Sequence, residues 1–583
     1  MEKGRLFIAM ALSIAIVVGW DYFYLKPRQQ ELAQVNALKQ QQTAQLAQEQ
    51  EQKNNIQLQK ISEAPKRVNI NTSVIKGSIN TRGLKFDDIV LLQYREKVSA
   101  DSPNVRLFSK FNADQDFYFA QLKWVAKRGT ETDNFVTTPA DDTLWSSDSD
   151  ELAQDKPVTF SWTSPEGVLF EVIVRVDEQY MLLVDTKVTN AHSTQITLAD
   201  SINFVRKLTK PSDEGNVAHQ GPIAVLNNTL EEVNYDKLKD EVQKSFDDSN
   251  LNWFGISDKY WLCAIAPKSE QIDAGGGSES DKQQNTKLYQ YRLELSYGEY
   301  IDIPGCYKSS CTSQSITLQP GQSRVMSYHL FTGPKKVKLL DLYSQKYGIN
   351  LFDRSIDFGW LYVLTKPIFT VLNFLYEYVG NFGVSILLAT VLVRLLMFQL
   401  ANKSYISMQK MKVLQPQIDM IKQKYAHDKV SMNKEIMLLY QKNKASPVGG
   451  CLPILVQIPV FFAIYKVLNV TIEMRQAPFF GWIKDLSMPD PLSIFNLFGL
   501  LPFTPPHYLS LGPLPLIMAI TMYLQQRYNP KPTDPVQAQI MQFMPLLFLV
   551  MFKDFPAGLL IYWSWNNVLS ILQQHFIIKK NKA

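Results

Sequence analysis

At 583 residues, with 46% hydrophobic content and a near-neutral mean hydropathy of −0.13, the chain reads as neither an ordinary soluble domain nor a wholly membrane-embedded one. A formal net charge of +5 is small for this length, so charge alone does not argue for nucleic acid, and the placement of the lysines carries more information than their sum. Of the four cysteines, Cys306 and Cys311 sit close enough in GCYKSSC to close a loop in an oxidising compartment or to remain free thiols, whereas Cys263 and Cys451 lie in apolar surroundings and read as packed thiols.

Residues 1–27 open with MEKGR, continue as LFIAMALSIAIVVGW and finish on DYFYL, the pattern of an uncleaved transmembrane anchor. Lys3 and Arg5 would lie in the cytoplasm, with Trp20, Tyr22 and Tyr24 at the far interface. Residues 28–64 form a glutamine-rich linker with little to bury. From 65 to 345 the texture changes to short alternating runs, such as VLFEVIVRV from Val168 and YMLLVDTKV from Tyr180, broken by Gly, Asn, Asp, Pro and Ser clusters. That predicts a large antiparallel β domain outside the cytoplasm. It holds no metal-ligand spacing and no nucleophile motif, so it reads as a scaffold or interaction surface more readily than as a glycan-binding cleft.

Residues 346–382 are apolar but interrupted by Lys366, Pro367 and Glu377, and 358–379 is expected to lie as an amphipathic helix on the outer membrane surface. The run 383–401, GVSILLATVLVRLLMFQLA, is long enough to cross a bilayer core and contains one charge, Arg394. An arginine near mid-helix costs on the order of 3 kcal/mol to insert. Either it snorkels to the nearby surface or it faces a wet interior, and Thr390 one turn earlier makes that face polar. Between 402 and 446 lies a predicted helical hairpin, with apolar positions at Met408, Met411, Leu414, Ile418, Ile421, Ile436, Leu439 and Tyr440, a kink at Pro416, and Asp428 or Ser431 as a cap. Its nine lysines from Lys403 to Lys444 face only Asp419, Asp428 and Glu435, the excess expected of a cytoplasmic loop. Residues 447–578 supply four more spans, Leu452–Val470, Leu514–Gln526, Ile540–Phe552 and Gly558–Ile577, and 579–583 is a basic cytoplasmic tail. The expected total is six transmembrane helices with both termini inside.

The strings SPVGGCLPILVQIPVFFAIYKVL from Ser446, RQAPFFGWIKDLSMPDP from Arg475, TDPVQAQIMQFMP from Thr533 and FPAGLLIYWSWNNVLSILQQ from Phe555 together resemble the YidC family of membrane protein insertases, in order and spacing over about 350–580. The anchor, linker and β domain resemble the Gram-negative form by arrangement. The resemblance implies an α-helical bundle, a five-helix insertase core plus the N-terminal anchor, carrying a periplasmic β-supersandwich-like domain. It further implies a hydrophilic groove containing Arg394, Thr390 and Gln457, a path for client segments along Ile458, Phe461 and Tyr562, and nascent membrane proteins as clients in the bilayer of the inner membrane, with the Sec translocon and the ribosome as partners. No cofactor, metal, small-molecule substrate or specific nucleic acid is expected. The chain departs from the common pattern in an extra stretch, SIFNLFGLLPFTPPHYLSLG, between Asp490 and Leu514, and in Lys553 and Asp554.

Other function classes fit less well. A secondary transporter of an anion would also retain a buried arginine, but it commonly shows inverted repeats, which this chain lacks. An intramembrane protease would need HExxH, GxSxG or an equivalent pairing, and none occurs.

Overall fold

The computed structural model describes residues 66–112, 115–126, 136–209, 218–273, 290–445, 452–503, 505–506, 510–529 and 535–582. The expected anchor at 1–27, the linker at 28–64 and Cys451 lie outside the described residues.

Strand formation between Arg67 and Pro334 follows the period-two pattern. The run from Val168 forms the strand Val168–Val176, in which Val168, Phe170, Val172 and Val174 are fully buried while the residues between them are half exposed. It pairs antiparallel with Met181–Asn190, which continues onto Ser323–Pro334 and then Trp261–Asp273. A second layer is built around Ile196–Lys207, flanked by Phe117–Ala126 and Ile303–Ser313. The long strand Gln243–Ser257 joins the layers, pairing its first half with Gln290–Tyr300 and its second with Gly221–Leu226 and Trp261–Asp273. Side chains from the two layers meet edge to face, Trp124 on Phe170 at 5.3 Å and Phe204 on Phe254 at 5.5 Å, so the domain is a sandwich. Cys306 and Cys311 share one strand at odd spacing, which puts them on opposite faces. Cys311 enters the main core, Cys306 joins Phe117, Phe119 and Tyr300, and both thiols are free.

One short helix, α1 (Tyr235–Glu241), belongs to the sandwich. The rest follow it: α2 (Val337–Tyr347), α3 (Tyr362–Val379), α4 (Phe382–Leu396), α5 (Phe398–Val413), α6 (Gln415–Lys424), α7 (Lys429–Lys442), α8 (Leu452–Val470), α9 (Pro513–Gln526), α10 (Pro535–Met551) and α11 (Ala557–Lys582). The expected surface helix is α3, which buries Phe369 and Leu372, exposes Val363 and Tyr378, and is pinned to α2 through Lys366, whose Nζ donates to Asp341 at 3.0 Å and Asp353 at 2.7 Å.

The run expected as one span at 383–401 is broken. Helix α4 ends at Leu396 and the chain turns by 71° into α5. Among the described residues no single helix is long and apolar enough to cross a membrane, although the bent pair α4 and α5 passes by length and composition. Pro416 does not kink a continuous helix but stands in the first turn of a new one, α6, where its missing N–H costs nothing. The hairpin core is the predicted one, Met411, Leu414, Ile418 and Ile436 with Met408, Ile421, Leu439 and Tyr440 around them, and Asp428 caps α7 by accepting from Val430 and Ser431.

A set of polar ties bolts the sandwich to the helices. Asp357 accepts from the His219 backbone N–H at 3.1 Å and from Lys466 Nζ at 3.0 Å, and Lys335 donates to Ser257 Oγ and the Ser355 carbonyl at 3.1 Å each. Arg475 donates to the Arg95 and Glu96 carbonyls at 2.8 and 2.9 Å. Glu473 accepts from the first N–H of α2, Val337, at 3.2 Å, and burial pushes its carboxyl up to about 7.

Candidate functional site

Helix α4 opens with Asn381 capping Val384 and with Gly383, where an added Cβ would stand 2.0 Å from the Phe479 ring. That close approach fixes α4 against the loop after α8, and its next turns run down the side of α11. The Arg394 side chain is bonded to α11 and α5. Its Nε donates to Asn566 Oδ1 at 2.9 Å, Nη2 to the Asn566 carbonyl at 2.9 Å and to Ser570 Oγ, and Nη1 to Tyr405 Oη at 3.3 Å. The contact to Tyr405 requires the bend at Met397, since eleven residues of straight helix would separate the two by about 16 Å. Among the described residues its hydrogen-bond partners are all neutral, Asn566, Ser570 and Tyr405, and no ion pair to a carboxylate is formed.

A second polar contact spans α8 and α11, where Gln457 Nε2 donates to Tyr562 Oη. Tyr562 is buried, and Asn566 and Ser570 follow it at four-residue spacing, so one stripe of α11 collects both Gln457 and Arg394. Around the same helix Asn567 donates to Thr521 Oγ1 of α9 at 3.2 Å and Gln573 to Asn402 Oδ1 of α5 at 2.9 Å. Ser564 Oγ, the Trp565 indole N–H and Gln574 Oε1 are buried without a hydrogen-bond partner among the described residues. A seam of polar groups thus runs through the helices, and a buried polar group left unpaired costs on the order of 1–3 kcal/mol unless water or another ligand reaches it.

The structure brings Arg394, Gln457 and Tyr562 together along α11, but Thr390 differs. It is 2% exposed and its hydroxyl donates to the Ile386 carbonyl at 2.6 Å, within its own helix. Ile458 points outward, 45% exposed, beside Phe461, which is half-buried in an aromatic group with Tyr465, Phe552 and Trp563. Sequence reasoning missed Asn566, Ser570 and Tyr405. The first two were readable as a polar repeat at i and i+4 inside an apolar run, whereas Tyr405 depends on a bend that no proline or glycine announces.

Residues 67–371 match the family described as YidC periplasmic domain, and residues 374–583 match the family described as 60Kd inner membrane protein. The chain is 48% identical over 584 residues to the membrane protein insertase YidC of Rickettsia bellii and 47% identical over 585 residues to that of Rickettsia felis, covering 99% of both partners in each case. A solved structure of an active YidC insertase with its first transmembrane domain resolved aligns over 88% of this chain and 94% of that one at 16% identity and a TM-score of 0.35, so the relationship rests on sequence.

Proposed function

The chain belongs to the YidC family of membrane protein insertases, and from that premise we propose how its own residues do the work. It is a membrane protein insertase, not an enzyme, that helps nascent membrane proteins enter and fold in the inner membrane, with the β domain on the periplasmic face. Its working site is the seam along α11. The observation that carries this reading is Arg394 held by Asn566, Ser570 and Tyr405 with no ion pair to a carboxylate among the described residues. A guanidinium bound only by neutral dipoles stays open to an anion. At about 4 Å and an effective dielectric of about 20 an acidic client residue would gain on the order of 4 kcal/mol before desolvation, comparable to the cost of keeping the arginine in the helix.

In this reading a short polar flank of the client enters the seam from the cytoplasmic side, where its desolvation is reduced by Gln457 and by Ser564 Oγ and Gln574 Oε1, which have no hydrogen-bond partner among the described residues. The client's apolar segment meanwhile slides past exposed Ile458 and the ring of Phe461 into lipid, and burial of that segment drives the step. Tyr562 holds Gln457 in place. Five helices, α4, α8, α9, α10 and α11, form the spanning core with the anchor as a sixth, both termini inside, and the lysine-rich hairpin α6–α7 meets the ribosome while the Sec translocon works alongside.

The test is protease protection of radiolabelled clients in vesicles with matched levels of each variant. Arg394→Lys should retain most insertion. Arg394→Ala should impair clients with acidic flanks more than neutral ones, and Arg394→Glu should be worst for acidic flanks and partly rescued by basic ones. Equal loss for every flank would make the arginine a brace between α4 and α11, and no loss would make it dispensable.

A further inference from the structure

We propose that Phe495–Phe503, in the extra stretch after Asp490, form a lipid-embedded wedge immersed in the headgroup and acyl boundary of the outer leaflet beside α9. The proposal rests on the reading of α9 as a membrane span and adds a surface that reading does not include.

The tip is apolar and open. Phe495, Leu497, Phe498, Leu500, Leu501 and Phe503 are 40–82% exposed. From Pro491 to Gln526 there is no Asp, Glu, Lys or Arg. Soluble loops are built the other way, with polar tips and apolar roots.

Most of its backbone donors are satisfied within the loop. The N–H groups of Leu497, Phe498, Gly499, Leu500, Leu501 and Phe503 each find a carbonyl inside the loop, at 2.8–3.3 Å. Asn496, the polar side chain at the tip, accepts from the Gly499 N–H at 3.0 Å and donates to the Phe503 carbonyl at 3.3 Å. Water needs no such economy of a surface loop, but hydrocarbon does, since irregular backbone there must satisfy its own donors. To reach this closure Leu497 and Phe498 adopt left-handed φ of 49° and 61°, a conformation rare for bulky residues, which holds both side chains outward.

Its root is fixed at membrane level. Asp490 Oδ2 accepts from Leu514 in the first turn of α9 at 2.8 Å, its Oδ1 accepts from the Trp482 indole at 3.1 Å, and Ile494 N–H donates to the Leu511 carbonyl at 2.9 Å. An added Cβ at Gly512 would meet the Asp490 carboxyl at 2.5 Å, so only glycine permits that clasp. The start of α11 is held on the same side, its Ala557 and Gly558 N–H groups donating to the Met488 and Leu486 carbonyls. Exposed Phe480, Trp482 and Met488 extend the apolar surface from the tip toward the bundle, and an indole with a bonded N–H suits the interface. The occupant with matching chemistry is therefore lipid, at about 5–10 Å depth.

The test uses the full chain in proteoliposomes carrying a single environment-sensitive fluorophore on Leu500→Cys, with Ile517→Cys in α9 and Asp155→Cys in the β domain as references and Cys451→Ser in all. Cys263, Cys306 and Cys311 are buried and stay unlabelled. Quenching by shallow and deep nitroxide lipids and by aqueous iodide is read for each. The wedge predicts a blue-shifted label at 500, quenched several-fold more by shallow nitroxide lipid than by iodide, and losing that preference with Phe498→Asp and Phe503→Asp together. Iodide quenching at 500 equal to that at 155, with 517 still quenched by lipid, overturns the wedge while sparing the span. Lack of lipid quenching at 517 overturns both. A label at 500 shielded from both quenchers only at high protein-to-lipid ratio would assign the tip to a second copy and also overturn the proposal.

Discussion

The sandwich and the helical bundle solve opposite problems with the same chemistry. In the sandwich, valines and phenylalanines such as Val172 and Phe160 are fully buried, and Arg206 enters paired with Asp258 at 2.7 Å. In the bundle, Leu396 is 80% exposed and Phe543, Leu547 and Val550 about 60%, while Asn567, Ser570 and Gln574 are buried. A water-soluble fold with that distribution would be inside out. The contrast identifies the solvent of each part more surely than helix length does: α4 and α9 are too short to qualify as spans, yet both carry exposed apolar residues on the outside and polar partners within. Such short helices suit a locally thinned bilayer.

The largest effect that would sharpen this contrast is a cavity in the sandwich. Phe160→Ala removes a fully buried ring and should cost about 3–5 kcal/mol of sandwich stability, seen as a lower denaturant midpoint for its tryptophans. Insertion of clients in vesicles should remain near normal at a temperature where the sandwich is still folded. Parallel loss of insertion would break the division and make the two regions one working unit.

A slightly smaller effect concerns the junction. Burial raises the Glu473 carboxyl to about 7, so folding favours its protonated form: stability is full below the ordinary carboxyl range and falls as pH rises toward and through 7. His329, buried with both ring nitrogens unpartnered among the described residues, is lowered to about 4, so its contribution runs the other way and is lost as pH falls below about 6.5. Each shift corresponds to roughly 3 kcal/mol. The two windows overlap and their slopes are opposite, so from these two groups the melting temperature of the purified protein should change little between about pH 4 and 7. Glu473→Gln should unmask a rise in stability between about pH 4 and 6.5, and His329→Phe a fall between about pH 4.5 and 7; a Glu473→Gln protein with the parent's pH profile would show that its carboxyl is solvated.

How much of this was legible follows from locality. Strands from Val168 and Tyr180, the hairpin core around Met411 and Ile436, the Asp428 cap and the helix Leu452–Val470 all depend on residues within a few turns of one another, and the chain announces them. The pairing of Arg394 with Asn566 does not, because its partners are 172 residues apart and a polar stripe in an apolar helix names no partner. Nor does the 71° bend, which falls between Leu396 and Phe398 with no proline or glycine beside it. The ties of Asp357 and Glu473 were invisible for the same reason, each joining a helix to a strand or loop from a distant part of the chain.

A smaller effect tests whether the seam is a brace. Asn566→Ala and Ser570→Ala each remove a neutral partner of Arg394, and hydrogen bonds between membrane helices average about 0.6 kcal/mol, so the bundle should lose no more than about 1 kcal/mol per change. If Arg394 serves acidic clients, freeing it should leave their insertion intact or improved. A loss matching that of Arg394→Ala would mean that the arginine works by holding α4 to α11.

The smallest effect belongs to Thr390. Its family position suggests a groove residue, but its hydroxyl donates to Ile386 in the same helix and the side chain is buried, so nothing of its polarity reaches a client. Valine has nearly the same shape. Thr390→Val forfeits one side-chain bond to a carbonyl that already accepts within the helix, a change of about 0.5–1 kcal/mol, and Thr390→Ser keeps that bond while losing a methyl. Both should insert acidic, neutral and basic clients about as well as the parent in vesicles. The pair distinguishes what a single change would confuse. Loss with Val but not with Ser would show that the hydroxyl faces the client once α4 turns during insertion, placing Thr390 beside Arg394 in the working site; loss with Ser but not with Val would assign it to packing against α11.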